Sequence, residues 1–363
     1  MCMACETVKQ GAADTDALGN EFLDMINKAS AALMVSVGHR TGLFAALAAH
    51  GPATSEGLAR AAGLHERYVR EWLGAMTAAG FVQCDGSGTT FSLAEGWAPL
   101  LVAGNGSPTV GHLAQFIGMM GSVEDRIVDC FHQGGGVPYS AYPRFQDVMV
   151  EESRQTVVDP LLDHILPLVP GLTLALKNGI RAMDVGCGRG AALHLLAKTF
   201  PNSRFVGYDL SEEAIRLATA RAQKDGLANL RFEARDLTTF DQDAEAQAFD
   251  LALAFDAIHD QARPDRVLAG IRRSLGPDGL FLMQDIGASS NIAENRDHPL
   301  GALLYTISCM HCMTVSLAQG GLGLGAAWGE QQTLQFLSDA GFRRLERHTL
   351  PHDIQNYYYI ARP

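Results

Sequence analysis

Positive charge is scarce in this chain. Lysine and arginine number 28 against 40 aspartates and glutamates, for a formal net charge of -12. Such a balance argues against a general affinity for nucleic-acid phosphates or an anionic membrane surface. No uninterrupted apolar run reaches roughly 18 residues, so no membrane span is expected. The start, MCMACETVKQ, lacks the basic opening and apolar core of a signal peptide. Cysteines are few, seven scattered over 363 residues. They read as reduced thiols of a cytoplasmic protein rather than as a disulfide framework. What is present suits a globular protein. Hydrophobic residues make up 47% and charged residues 19%, enough for a sizeable core in two or three domains.

Residues 1–17 are small and polar and are expected to fray. Phe22, Met25, Ile26, Ala29, Leu33 and Val37 then recur at helical spacing. They predict one or two helices broken near Gly38. Thr54 and Ser55 are candidate N-caps of a short helix, and Gly63 turns the chain into a second helix with Val69, Trp72, Leu73 and Met76. FVQC and TFSL flank the turn DGSG as a hairpin. Helix, turn, helix and hairpin make a winged helix, set at 18–105. Its arginines, Arg60, Arg67 and Arg70, face Glu56, Glu66, Glu71, Asp85 and Glu95. A DNA-reading helix needs a basic footprint, so this domain is expected to pair two subunits as a homodimer. Residues 106–175 read as a helical linker and cap, broken by QGGGVPYSAYP. From 176 to 363, strand-like and helical runs alternate, as in an α/β doubly wound sheet.

The first strand of that region ends in MDVGCGRGAALHLLAKTF. Gly186 and Gly188 let the backbone approach a ligand closely. The next strand, RFVGYDL, carries Asp209 at its C-terminal end, where an acid binds ribose hydroxyls. A nicotinamide dinucleotide needs G-x-G-x-x-G, and here Ala191 stands where the third glycine should fall. A nucleotide-sized ligand without a pyrophosphate fits better. Asp184, just before the turn, favours a cation over a phosphate.

DVGCGRG, GYDLS, EARDL and FDLALAFDAIHD, in that order, resemble the class I S-adenosylmethionine-dependent methyltransferases. The resemblance implies a Rossmann-like seven-stranded sheet binding S-adenosylmethionine and releasing S-adenosylhomocysteine. Asp184, Gly186, Cys187 and Gly188 would border the methionine part, and Asp209 the ribose, with Leu210 against the adenine. Asp236 would reach the adenine amine with Leu237 beside it. Phe255 and Asp256 would close the end of the fourth strand. With its winged helix, the chain is similar to bacterial and plant small-molecule O-methyltransferases. In those, a His-Asp pair stands where His259–Asp260 stand here. Imidazole can take a hydroxyl proton at neutral pH, so His259 is the expected base. Asp285, at the end of GLFLMQD, is its expected helper, and Asp260 is expected to cap the next turn. Where the family continues His-Asp-Trp, this chain has His-Asp-Gln. A helix-capping histidine is the plain alternative.

The family also implies a Phe–Met pair near the cofactor, matched by Phe145 and Met149 at i and i+4. Tyr139 and Tyr142 lie in the loop before them. SCMHCMTVSLAQGGLGLGAAWG holds Cys309 and Cys312, which with Cys2 and Cys5 would offer two Cys-x-x-Cys pairs. Some 300 residues part the pairs, so no metal is expected. Residues 287–329 read as an insertion, a helix plus a mobile glycine-rich cover, with Tyr305, His311 and Trp328 walling an acceptor pocket. Methyl transfer to a small-molecule hydroxyl is the expected function. The alternatives are a ligand-sensing winged-helix regulator, or nitrogen, carbon or sulfur methylation by proximity without a base.

Overall fold

A computed structural model describes residues 14–102 and 109–363. Cys2, Cys5 and most of the segment expected to fray lie outside the described residues. The chain divides into two compact units, Met1–Gly118 and Met119–Pro363.

The first unit opens with α1 (Thr15–Thr41), so residues 15–17, expected to fray, are already helical. Asp14 caps α1, its side chain accepting from the Asp16 and Ala17 amides. The expected break near Gly38 does not occur there. Gly38 lies inside α1, and a Cβ on it would sit 2.6 Å from the Trp72 ring. That glycine is a packing notch, and α1 ends instead at Gly42, whose φ is +72°. Next come α2 (Leu43–His50), α3 (Ser55–Ala62), capped by Thr54 alone, and α4 (Glu66–Ala78). β1 (Val82–Cys84) and β2 (Phe91–Leu93) pair antiparallel, Val82 opposite Leu93. The wing turn is tied by Asp85, which accepts from the Thr89 and Thr90 amides and the Ser87 hydroxyl. α5 (Ala98–Leu101) follows, and α6 (Ala114–Gly121) begins at the end of this unit. Leu47, Leu58, Val69, Trp72, Leu73 and Met76 form its core.

The second unit adds α7 (Glu124–Gln133), α8 (Phe145–Ser153) and α9 (Leu172–Asn178) ahead of the sheet. Strands and helices then alternate: β3 (Arg181–Val185), α10 (Ala191–Thr199), β4 (Arg204–Asp209), α11 (Glu212–Lys224), β5 (Leu230–Ala234), α12 (Phe240–Asp243), β6 (Phe249–Phe255), α13 (Pro264–Ser274) and β7 (Leu275–Ile286). α14 (Gly301–Ile307), α15 (Met313–Ala318) and α16 (Gly329–Asp339) precede β8 (Arg344–Leu350) and β9 (Asp353–Arg362). The seven strands lie in the order β5-β4-β3-β6-β7-β9-β8. All neighbours up to β7 are parallel, and β9 runs antiparallel to both β7 and β8.

Helices cover both faces of this sheet, so its strands are apolar throughout. In β6, Leu251 and Leu253 enter one core layer, Ala252 and Ala254 the other. In β7, Leu280 and Leu282 alternate with Phe281 and Met283 in the same way. This period of two leaves the strand ends, not the strand faces, free to carry polar chemistry.

One expectation fails by composition. Gly301–Ala318 forms a single 18-residue helical stretch with mean hydropathy 1.4, long and apolar enough to cross a membrane by those criteria. A third of it is buried within the chain. The Thr314 hydroxyl accepts from the Val137 amide at 2.8 Å, and the Ser316 hydroxyl donates to the Gln261 carbonyl at 2.9 Å. Its turn Ser308–Cys312 is π-helical.

Candidate active site

β3 runs into the loop Gly186–Gly190, where Gly186, Gly188 and Gly190 all have positive φ. A Cβ on Gly186 would lie 2.4 Å from that of Ala257, and one on Gly190 would lie 2.3 Å from the Phe232 ring. Side chains are thus excluded by sterics as well as by backbone angle. Asp209 braces the loop from the end of β4. Its Oδ2 accepts from the Gly188 amide at 2.7 Å and its Oδ1 from the Ser211 amide at 2.8 Å. Burial raises its pKa while the two amides pull it back.

The loop forms one wall of a cavity of about 730 Å³ at the C-terminal ends of β3, β4 and β6. Asp184, buried there, has an Oδ1 with no hydrogen-bond partner among the described residues. Burial, and then the nearby Asp209 charge, pushes its carboxyl up to about 8. Asp256 is similar: its Oδ1 is buried and unpartnered, and its φ is +49°, a strained value for a non-glycine residue. Burial first, then the Asp285 charge, raises its pKa far above the carboxylate range.

Cys187, Leu210, Asp236, Leu237 and Phe255 also line the cavity, as do Phe145 and Met149 from α8 and Tyr139 and Tyr142 before it. The expected catalytic pair does not. His259 is 3% exposed and Asp285 0%, and neither lines the cavity. They are nevertheless joined. His259 Nδ1 lies 2.7 Å from Asp285 Oδ1, which also accepts from the Trp328 indole at 3.1 Å and the Ile286 amide at 2.8 Å. Burial disfavours the imidazolium, but the charge and hydrogen bond of Asp285 outweigh it and hold the His259 pKa well above its usual value.

Trp328, Tyr305 and His311, expected on an acceptor wall, are not among the residues that line the cavity. Trp328 braces Asp285, and the Tyr305 hydroxyl accepts from Asn295 at 2.8 Å. His311 stacks on Phe145 with ring centroids 4.1 Å apart, and Tyr142 and Tyr139 meet it edge-on. Burial, with the His259 charge second, pushes its pKa down to about 3, so it is neutral. Cys309 and Cys312 are free thiols. The glycine-rich run, expected as a loose cover, is pinned instead. The Leu322 amide donates to the Ala262 carbonyl at 3.0 Å and the Gly323 amide to the Ser316 hydroxyl at 3.1 Å. Gly321 fits where neighbouring backbone leaves no room, since a Cβ on it would lie 2.5 Å from Ala262 Cα.

Asp260 departs furthest from expectation. It caps no turn. Its Oδ2 accepts from the Tyr139 hydroxyl at 2.5 Å, and both residues line the cavity. Its adjacency to His259 was visible in the sequence; its partner, 121 residues earlier, was not. Gln261, Arg263 and Gln319 also line the cavity without any sequence signal.

A winged helix followed by a doubly wound sheet, with a glycine loop and an acid at successive strand ends, defines a nucleotide-ligand-binding protein of the Rossmann-like class. Residues 176–341 match the family described as "Methyltransferase domain", and residues 29–102 the "Rv2258c-like winged HTH domain". The chain thus carries a stretch that matches a winged-helix domain followed by a stretch that matches a methyltransferase domain. Among curated proteins it is similar to phthiotriol/phenolphthiotriol dimycocerosates methyltransferase 1 of Mycobacterium ulcerans, 30% identical over 163 residues. That stretch is 45% of this chain and 58% of the relative, little more than half its length. Among solved structures, mitomycin 7-O-methyltransferase MmcR superposes with a TM-score of 0.68 at 19% identity, covering 97% of this chain and 100% of the other. Human N-acetylserotonin methyltransferase, solved with S-adenosylmethionine, gives 0.65 at 18%, covering 97% and 99%. At these identities the two structures speak for the fold.

Proposed function

We propose that this protein transfers a methyl group from S-adenosylmethionine to a hydroxyl of a small-molecule acceptor. One observation carries the reading. The cavity is walled by the glycine loop and by one buried carboxyl oxygen each of Asp184 and Asp256 that has no hydrogen-bond partner among the described residues. Such oxygens suit a positively charged ligand, whose charge would draw the buried carboxyls into their ionised form. At about 730 Å³, the space falls within the range of ligand pockets. Asp209 would hold the ribose, Asp236 and Leu237 the adenine end, and Asp184 with Gly186–Gly188 the methionine end. When bound, the donor supplies a methyl carbon whose bond to sulfur breaks as its bond to the acceptor oxygen forms, sulfur keeping the electron pair.

The chain's part is alignment and proton removal. Holding an acceptor in line contributes about 7–11 kcal/mol in favourable cases. His259, fixed by Asp285, drives the proton's removal at the end of β6. The relatives support the class: the curated one is named as a methyltransferase, and both solved structures are named as methyltransferases. Calorimetry tests the reading. S-adenosylmethionine and S-adenosylhomocysteine should bind and NAD should not; binding of NAD alone would overturn it.

The same reading includes a homodimer formed through the first unit. α1 leaves Phe22 59% and Leu23 61% exposed, with Leu18, Met25, Ile26 and Leu33 exposed as well. Such an apolar strip on a 27-residue helix suits a second copy of the chain. A DNA-binding regulator fits less well. On α4, Arg67 pairs with Glu71 and Arg70 with Glu66, each at i,i+4, so the helix offers little free positive charge to phosphates.

A further inference from the structure

The group implied as base does not reach the cavity, while its neighbour does. His259 and Asp285 are buried behind the wall. Asp260 stands in the wall, 9% exposed, with Tyr139 beside it. The Tyr139 hydroxyl occupies one carboxylate oxygen, Oδ2, at 2.5 Å. The other, Oδ1, has no hydrogen-bond partner among the described residues. A buried carboxylate with one oxygen tied and one open is a directed acceptor for a ligand's O–H.

We propose that Asp260 is the side chain that meets the acceptor hydroxyl: its Oδ1 receives the O–H hydrogen bond and takes the proton, while the Tyr139 hydroxyl fixes Oδ2. This rests on the hydroxyl-transfer reading and assigns its proton step to an atom. The acceptor's O–H bond breaks, and the proton moves to Oδ1. The electron pair stays on the acceptor oxygen, which uses it to bond the methyl carbon. Asp260 later returns the proton to water. His259 then acts through Asp260, as a buried positive charge that keeps the carboxylate ionised, and Tyr139 is a positioning residue. The methylated product, an ether, has no O–H to donate. It loses this contact as soon as it forms, which favours its release.

The environment of Asp260 is consistent with such a role. Burial is the largest influence and raises its carboxyl to about 6. His259 and the Tyr139 hydroxyl favour the ionised form, and Asp285 and Asp209 oppose it. The group is thus charged at neutral pH, yet basic enough to share a proton.

The test uses 4-methylphenol, which keeps its O–H at neutral pH, and its methyl ether, 4-methylanisole, as probes on the full chain saturated with S-adenosylhomocysteine. Calorimetry at neutral pH should show the phenol bound about tenfold or more tightly than the ether, as expected for a hydrogen bond to a charged group. Asp260→Asn, nearly isosteric, should erase that preference while leaving S-adenosylhomocysteine affinity unchanged. It should also lower methyl transfer to 4-methylphenol by about 10²–10⁴-fold. In the parent the preference should fade as pH drops through about 6. In Tyr139→Phe and His259→Gln it should persist but fade at a higher pH, because each removes a group that favours the charged carboxylate. The proposal falls if the parent binds phenol and ether equally or binds neither. It also falls if Asp260→Asn keeps the preference while His259→Gln loses it. A parent that fails to bind S-adenosylhomocysteine overturns the methyl-transfer reading itself, a separate outcome seen in the first titration.

Discussion

Asp184 shows how one buried carboxyl couples a site to the stability of the fold. Its pKa rises from an ordinary 3.8 to about 8 in the folded chain. Between those values the folded protein holds a proton that the unfolded chain has released. Stability is therefore fully present below about pH 4 and declines as pH rises towards about 8. Asp184→Asn should flatten that decline in denaturant titrations of the ligand-free protein; an unchanged slope would mean the group is ionised in the fold. Asp209 is the residue proposed to hold the ribose. Asp209→Ala should weaken S-adenosylhomocysteine binding by about tenfold or more, the usual scale for losing a charged hydrogen-bond partner, read by calorimetry. His259→Ala should leave that affinity nearly intact and lower turnover at neutral pH, with activity recovering as pH rises, because Asp260 then ionises only at a higher pH. An equal loss of cofactor affinity would remove His259 from the chemistry.

At the scale of elements, the loop between β3 and α10 joins sequence to site most directly. Gly190→Ala would place a methyl 2.3 Å from the Phe232 ring at a φ of +67°, costing about 1–3 kcal/mol by overpacking alone. A lowered urea midpoint with an unchanged slope is the expected reading. This loop was legible because a glycine needed for backbone geometry leaves a mark in sequence, and so does a strand whose two faces are both buried. β3, β4, β6 and β7 fell where the runs MDV, RFVGYDL, FDLALAF and GLFLMQD placed them. Gly38 misled for the same reason in reverse. A glycine inside a helix reads as a break, and only the folded chain shows Trp72 pressed against it. The glycines after Ala318 misled likewise, since they serve contact with Ala262 and Ser316 rather than freedom.

Across the whole molecule, the side of the cavity formed by the glycine loop was legible and the side formed by Tyr139 and Asp260 was not. Asp184, Asp209 and the glycines lie within 26 residues of one another, at adjacent strand ends whose spacing is a chemical signature. That second side draws Tyr139 from before the sheet and Asp260 from beyond β6, with His311 of the insertion packed on Tyr139 behind it, and nothing local ties them together. The two units also make separate predictions. Phe22→Glu combined with Leu23→Glu in α1 should convert a dimer to monomer in sedimentation, without altering the thermal unfolding of the second unit; a parent already monomeric would reject the dimer. A gel shift with mixed duplex DNA should show no retardation even in low salt, as the paired arginines of α4 imply.

The indole that donates to Asp285 has an experimental use. Of the three tryptophans, Trp72 and Trp97 belong to the first unit, and Trp328 alone reports from the second. With the other two replaced by phenylalanine, emission from Trp328 becomes a built-in optical gauge of the charge shared by Asp285 and His259. Each turnover would then leave a fluorescence trace from 3.1 Å away, with no dye attached.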